Sequence, residues 1–390
     1  MRNGGCIFAM NLRSQHTGQR SRHRFRAFLG AILATLTVGG ASSQNPHRPL
    51  PPVGRLTPGR DMISARGGHT ATVLPDFKIL IAGGKQERGV ILATTEIYDP
   101  NTERFSPGPK MLAAREGHIA AHLSDNKILI AGGQTKGGIA LSSSEDYDDE
   151  AGKFTARGNM HARRIRPTAT VLRDGRILVI GGTDGTEPLA SAETYEVMNG
   201  KWTLTGKMSA ARTGHTATLL ADGRVLIAGG TGIHHSVLAS AEIFDPKTNR
   251  FAPAGKLNQA RTLHTAALLA DGKVLIAGGA AQADGSSPLA SSEIYDPATG
   301  SFTPSGAMNE PHLKLPNGAS LLDGRVLIIG GAVAAEIFDP RTGAFRTVSG
   351  ALDTARYYSA EFQVMDGSVR FFGGYDSSGI STAKTWIYRP

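Results

Sequence analysis

Short apolar runs recur at a nearly constant interval along most of this chain. Each run is closed by a pair of glycines, as in ILIAGG ending at Gly84, and the steps between pairs are 43 to 52 residues. Because the runs are short and almost free of polar residues, they are typical of strands that are covered on both faces. The pairs end at Gly84, Gly133, Gly182, Gly230, Gly279, Gly331 and Gly374.

Each apolar run lies inside a longer unit that carries further marks. In six units the run is followed by Glu and then Tyr or Phe, as in EIYDP at Glu96–Pro100, and a second aromatic follows the next turn. In five units an Asp-Gly pair such as Asp222-Gly223 precedes the run, and Asp-Gly tolerates the positive φ angles of a two-residue hairpin. The pattern predicts four strands per unit, which we name a to d, with the apolar run as strand b.

Seven such units predict one ring-shaped domain. A four-stranded sheet cannot bury both of its faces alone, and units of this length that stack radially form a propeller. We therefore predict an all-β, seven-bladed β-propeller with four antiparallel strands per blade over residues 56–390. In its Gly-Gly pairs, its spaced Tyr or Phe and the following Trp or Phe, the chain resembles kelch-repeat proteins, including the galactose-oxidase-like propeller and bacterial exported kelch proteins.

The two ends of the repeat region complement each other. The seventh unit stops at Tyr388–Pro390, after strand c, so its strand d is missing. In other units the aromatic of strand d lies six residues before a Met or Leu, as Phe105 does before Met111, and Leu56 lies six residues before Met62. We predict that Leu56 and its neighbours form the outer strand of the last blade and close the ring.

The first part of the chain differs from the repeats. Six arginines and no acidic residue accompany the short apolar run Ala27–Val38, and small residues follow it. This order predicts a signal peptide over residues 1–43, cleaved after Ala41 or Ser43, although an uncleaved membrane anchor is the alternative. Residues 44–55 are rich in Pro and predict an extended tether. We expect a secreted, periplasmic or cell-envelope protein without a transmembrane segment once the leader is removed.

Removal of the leader changes the charge and the cysteine content. The chain has 42 Lys and Arg against 33 Asp and Glu, and without the six leader arginines the basic excess falls from nine to three. Such a small excess does not favour a nucleic-acid partner. Cys6 is the only cysteine and lies in the leader, so the mature chain is expected to have neither disulfides nor thiol chemistry.

Basic residues recur at fixed places in the connection that enters strand a. The arginines are Arg66, Arg115, Arg164, Arg212, Arg261 and Arg356, with His312 in the sixth unit, and a histidine follows three residues later at His69, His118, His215 and His264. One interpretation is a ring of donors beside the central channel, suited to an anionic or hydroxyl-rich ligand. The other is that each arginine pairs with the Glu of strand c. Recurrence in every blade favours this structural role, but we keep the eleven residues as the predicted ligand-binding set.

The sequence singles out no catalytic group and no cofactor. The histidines come once per blade without the local spacing of a metal site, so we predict no metal. The resemblance to galactose oxidase implies a Tyr cross-linked to Cys beside copper, and the expected mature chain has no Cys. We therefore expect a binding protein for a protein or glycan. The alternatives are a sugar-active enzyme, similar to sialate mutarotases, and a structural envelope protein.

The loops between strands b and c vary most from unit to unit. In kelch proteins these loops and the connections from d to a commonly form the binding mouth, so the resemblance implies a ligand there. The sixth loop is reduced to AVAA, between long neighbours at Ala280–Ser291 and Tyr375–Ala383. We predict a notch at this place that serves as the ligand groove.

Overall fold

The computed structural model describes residues 53–123, 126–313 and 318–390. These residues form seven four-stranded antiparallel sheets, one for each repeat, which confirms the predicted propeller. The predicted leader, and all of the predicted tether before residue 53, lie outside the described residues and stay predictions. In the described part of the chain, no helix is long and apolar enough to cross a membrane.

Strands a and b form the inner half of every blade. The a strands are Thr70–Val73, Ile119–His122, Thr168–Val171, Thr216–Leu219, Thr265–Leu268, Ala319–Ser320 and Ala360–Gln363. The b strands are Ile79–Ala82, Lys127–Ala131, Ile177–Ile180, Val225–Ala228, Val274–Ala277, Val326–Ile328 and Val369–Phe372. The apolar residues of the b strands are almost completely buried, as their composition predicts.

Strands c and d form the outer half. The c strands are Thr95–Asp99, Ser144–Asp148, Ala192–Glu196, Ser240–Asp245, Ser292–Asp296, Glu336–Asp339 and Thr385–Arg389. The d strands of blades 1 to 6 are Arg104–Pro107, Lys153–Arg157, Lys201–Leu204, Arg250–Lys256, Ser301–Pro304 and Ala344–Thr347. Single 3-10 turns at Glu87–Gly89, Lys136–Gly138 and Ile233–His235 shape three b–c loops, and Gln134–Thr135 pairs with Ile139–Ala140.

The hydrophobic core lies between blades. Its seven clusters of buried residues coincide with the seven seams where neighbouring sheets face each other. At the seam of blades 1 and 2, for example, Leu80 of one sheet packs against Ile130 and Phe154 of the next, and Met111 from the connection that enters blade 2 joins the same cluster. Each blade is therefore a sheet with two buried faces and depends on both of its neighbours.

The Gly-Gly pairs allow the next blade to dock. Gly83 has a φ of 64°, and a Cβ there would overlap the carbonyl oxygen of Arg115 and press on Met111, both from blade 2. The N–H of Gly84 donates to the same carbonyl at 2.9 Å. Because backbone from two blades meets at this point, only glycine fits.

Residues near the N-terminal end complete the last blade, as predicted. Arg55–Pro58 pairs antiparallel with Thr385–Arg389, and Leu56 lies opposite Tyr388. The Leu56 side chain is 2% exposed and packs in the cluster between blades 6 and 7. The Leu56 N–H also donates to Ser349 of blade 6 at 2.8 Å, so this strand joins two blades as well as two chain ends.

Histidines form hydrogen bonds across several seams at the inner strands. His118, His215 and His264 each place Nε2 at 3.0 Å from a threonine hydroxyl of the preceding blade, namely Thr70, Thr168 and Thr216. His69 makes the corresponding approach to blade 7, where Ala360 occupies the threonine position. Both ring nitrogens of His69 are buried without a hydrogen bond. The seam that closes the ring therefore lacks a bond that three other seams have.

We expect Leu56→Ala to weaken ring closure. Removing a buried leucine side chain costs about 2–5 kcal/mol of unfolding free energy. Thr57→Ala, on the partly exposed neighbour, is the matched control and should cost less, about 1 kcal/mol, because it removes only hydrogen bonds to Ile387 and Arg389. Urea unfolding measures both, and equal stabilities of the two variants would contradict the closure.

Acid should destabilise the fold through the seam histidines. Burial lowers the pKa of His118 to about 3, from the usual histidine value of about 6.5. Between these values the unfolded chain binds the extra proton, so the stability is complete above pH about 6.5 and falls as the pH drops, by about 1.4 kcal/mol per pH unit for each histidine. In His118→Asn the urea-unfolding free energy should vary less steeply with pH between 6 and 4. An unchanged slope would refute this role.

Ala360→Thr should strengthen the closing seam. The new hydroxyl would take the place that Thr70 has beside His118 and give His69 a partner, with a gain of about 1 kcal/mol. Ala360→Val adds the same branching without the hydroxyl and is the control. Thermal unfolding should rank Thr above Val, and equal melting temperatures would show that the hydroxyl finds no partner.

Candidate functional site

Five of the predicted arginines are buried inside their blades. Each donates to a first-Gly carbonyl oxygen of its own blade, as Arg66 does to Gly83 at 2.8 Å, and each pairs with the Glu of strand c. The pairs are Arg66–Glu96 at 2.7 Å, Arg115–Glu145 at 2.8 Å, Arg164–Glu193 at 2.9 Å, Arg212–Glu242 at 2.8 Å and Arg261–Glu293 at 3.0 Å. Their side chains are at most 1% exposed, so the arginines hold the blade together in the manner of the structural interpretation.

The paired glutamates also fix the connection that carries the arginine. Glu96 accepts the backbone N–H groups of Ile63 and Ser64 at 2.7 and 2.9 Å, next to its bond with Arg66. Burial works against the charged form of Glu193, yet bonds from His161 and the charge of Arg164 hold its pKa below the usual value. Such a buried pair is tolerated because the carboxylate oxygens are satisfied.

Blades 6 and 7 replace this pair in different ways. His312 stands in the arginine position, with Nδ1 at 2.7 Å from the Gly330 carbonyl oxygen and Nε2 at 3.4 Å from Glu336. In blade 7 Trp386 stands where the other blades have Glu, so Arg356 binds Asp353 instead, at 2.8 Å. The four remaining predicted residues, His69, His118, His215 and His264, are the seam histidines. Ligand binding by the predicted set stays a prediction. In the structure, the arginines and His312 form ion pairs and hydrogen bonds within their own blades.

The face formed by the b–c loops and d–a connections has an inner lip of left-handed residues. They follow the repeated arginine by two positions and have φ between 51° and 66°: Gly68, Gly117, Arg166, Gly214, Leu263 and Tyr358. Backbone bonds link the lip from blade to blade, as from Gly68 N to Tyr358 O at 2.8 Å and from Arg166 N to Gly117 O at 2.8 Å. Non-glycine residues in this conformation are strained, and such strain tends to occur at functional sites.

The Arg166 side chain reaches across the lip from blade 3 to blade 7. Its guanidinium carbon lies 4.0 Å from the centre of the Tyr358 ring, and its NH1 donates to the Tyr358 hydroxyl at 2.9 Å. The lip residues of the two intervening blades are glycines, and a Cβ on Gly117 would come within 3.0 Å of the Arg166 side chain. Glycine at these positions therefore leaves room for an exposed arginine over the mouth.

A buried polar layer lies beside this lip. The Tyr375 hydroxyl is 2.8 Å from the Gly67 carbonyl oxygen and 3.0 Å from the Glu116 carboxylate. Glu116 also accepts from the Gln134 amide and pairs with Lys85 at 3.5 Å. Burial, reinforced by the Glu116 charge, raises the pKa of Tyr375. The tyrosine is thus a permanent donor, and Glu116 is held by three polar neighbours.

We name Lys85, Glu116, Gln134, Arg166, Tyr358 and Tyr375 the mouth cluster. In several other blades the corresponding repeat positions hold small or apolar residues. The blade 3 pair corresponding to Glu116 and Gln134 is Ile165 and Thr183, and the blade 5 pair is Thr262 and Ala280. Charge and aromatic rings are therefore gathered on the side of the mouth made by blades 7, 1 and 2, with Arg166 from blade 3.

Exposed apolar side chains also stand on these three blades, and the b–c loop of blade 4 adds Ile233 at 53% exposure. Those on the three blades are 46 to 61% exposed and stand on the b–c loops and d–a connections: Ile63, Val90, Leu112, Ile139 and Ile380. We name these five residues the apolar rim. Polar groups flanked by such residues are typical of a surface that meets a partner.

The sequence analysis missed the mouth cluster because it followed the recurring residues. Its residues lie one or two positions after the repeated arginine, or one position after the Gly-Gly pair. In the sequence they can be recognised only because they differ from the residues at the same positions of other units. The ligand groove predicted at the shortened b–c loop of blade 6 stays a prediction. Among the described residues, no three His, Cys, Asp or Glu side chains are placed to hold a metal.

Comparisons with known proteins agree with the propeller fold. A solved fungal alcohol oxidase, described as novel, with catalytic diversity among the AA5 family and in complex with copper, superposes with a TM-score of 0.72 at 18% identity. The match covers 87% of this chain and 76% of the oxidase, and at this identity it shows the fold alone. No curated protein gives a significant sequence match. The model of the KLHDC2/KLHL20/DRC7 Kelch-repeats domain matches residues 68–279, more than half of the chain, and this protein belongs to that Kelch-repeat family.

Proposed function

We propose that this protein is an exported binding module that holds a protein or glycan ligand at the mouth cluster. A Kelch-repeat propeller fits a binding or interaction role. The observation that carries the proposal is the placement of Arg166 and Tyr358, two non-glycine residues in left-handed backbone, over lip glycines that leave space for them. Neither side chain is needed for the repeat, because the corresponding residue in three other blades is glycine.

The chemistry of the cluster suits an anionic or hydroxyl-rich group. The exposed Arg166 guanidinium has several N–H donors in a planar fork, of which one is used on Tyr358. Tyr358 adds a partly exposed ring and a hydroxyl, and Lys85 adds a second partly exposed cation. Glu116 keeps these groups in place from below and limits the positive charge.

The apolar rim favours a protein partner over a free sugar. Large aliphatic side chains at about half exposure supply contact area that a small polar ligand does not need. An anionic or hydroxyl-bearing side chain of the partner would then reach the cluster, while its apolar residues cover Ile63 and Leu112. A glycan carried on a protein would use the same two features.

Substitutions in the cluster should weaken ligand binding without unfolding the chain. We expect Arg166→Ala to lower affinity at least tenfold, about 1.4 kcal/mol, because it removes an exposed charged donor. Leu263→Ala, at the same lip position of blade 5, is the matched control and should bind as the original chain does. A glycan array and co-purification from an envelope fraction supply the ligands, and titration of purified ligands measures the affinities.

The outcomes separate the possible roles. Equal loss in Arg166→Ala and Leu263→Ala would move the site away from the mouth cluster. A sugar ligand whose anomers interconvert faster in the presence of the protein would make it an enzyme. Binding that disappears on glycosidase treatment of a protein partner would assign the contact to the glycan.

A further inference from the structure

A second feature lies on the opposite face, where the a–b hairpins meet the c–d turns. At the seam of blades 3 and 4, Arg176 follows the Asp-Gly turn of blade 3 and reaches the c–d turn of blade 4. It donates to the Pro246 carbonyl oxygen at 2.7 Å and to the Asn249 side-chain oxygen at 2.9 Å. This arginine closes the seam on its outer side.

The next seam has the same arginine but no closure. Arg224 of blade 4 corresponds to Arg176, and Gly300 of blade 5 corresponds to Asn249, so the side-chain acceptor is missing. Arg224 binds Asp222 through Nε at 2.7 Å, and its two terminal nitrogens make no hydrogen bond to the described residues. The turn of blade 5 therefore lacks one of the two acceptors, and the terminal nitrogens of Arg224 are left free to donate.

A cavity of about 370 Å³ adjoins this arginine. Its walls combine Tyr295 and Phe251 with Pro297, and Arg250 adds a second cation beside the carboxylate of Asp245. The Tyr295 hydroxyl makes no hydrogen bond to the described residues, whereas Tyr98, in the corresponding position of blade 1, accepts a bond from Arg370. Burial raises the pKa of Tyr295, so its hydroxyl keeps the proton and can donate.

We propose that the cavity between blades 4 and 5 binds a small organic anion, with its carboxylate or phosphate on Arg224 and Tyr295 and its apolar part against Phe251 and Pro297. Free guanidinium nitrogens and a tyrosine hydroxyl are all donors, which anionic oxygens accept and cations do not. The volume lies within the usual range for small-molecule sites. This site is on the face opposite the mouth and does not depend on the function proposed there.

The test compares two anions by calorimetric titration of the purified protein. Benzoate represents a carboxylate with an apolar ring, and inorganic phosphate represents the anionic group alone. We expect saturable binding in the millimolar range or tighter, with benzoate ahead of phosphate because of the aromatic walls. Arg224→Gln should weaken binding of both at least tenfold, and Tyr295→Phe should weaken it less.

Two further variants separate the site from general effects of charge or stability. Gly300→Asn copies the closed seam of blades 3 and 4, and Gly300 has a φ of 67° and open space at its Cβ, as an asparagine there needs. It removes no charge, yet it should abolish binding by engaging Arg224. Arg176→Gln removes the corresponding arginine of the closed seam and should leave binding intact. The proposal is overturned if neither anion binds at millimolar concentration, or if Gly300→Asn binds as well as the original chain.

Discussion

Apolar contact between neighbouring sheets is the interaction on which the rest of this structure depends. The b strands are buried on both faces, so a single blade exposes two apolar surfaces, and these are covered only when a sheet stands on each side. A linear stack would leave two faces open, whereas a ring leaves none. This explains why Arg55–Pro58 is recruited into the last blade and why Leu56 is as buried as residues in the middle of the chain.

Polar residues inside the ring are arranged to allow that contact. Burying an unpaired arginine would cost free energy. Arg115, however, donates to Glu145 and to two backbone carbonyl oxygens, so its charge is paired within one blade. The seam histidines stay neutral because burial lowers their pKa, and a hydroxyl such as that of Thr70 partners one nitrogen of the neutral ring. These networks orient strands and connections at the mouth end, where a shift would misplace the loops above them.

The sequence allowed the repeated features to be predicted, because each one recurs in five to seven of the units with small variations. Blade number, strand order, the Asp-Gly turns and closure by Leu56 follow from spacing and from the need to cover apolar faces. The mouth cluster could not be found in this way. Arg166 and Tyr358 are 192 residues apart, and their contact depends on how far two side chains reach over lip glycines of other blades. The spacing of residues in the sequence does not predict a contact between side chains of distant blades, although each of the two residues differs from the glycine found at the same position of other repeats.

Repetition and departure from it therefore have different meanings in this molecule. A residue that recurs in most blades has a structural role common to them, and the recurring arginines are accordingly buried and paired. A residue present in one blade has no such common role. Any strain or burial penalty that it brings is offset by interactions specific to its position. At the lip, Arg166 has a left-handed backbone conformation that glycine takes without strain in three other blades. At the seam of blades 4 and 5, Gly300 stands at the position of Asn249 and leaves Arg224 without a side-chain acceptor. In both places the change frees arginine donors beside an aromatic ring, one exposed at the mouth and one at the wall of a cavity. Departures from the repeat therefore lie on two faces of the propeller, and these faces carry the two proposed contacts with other molecules.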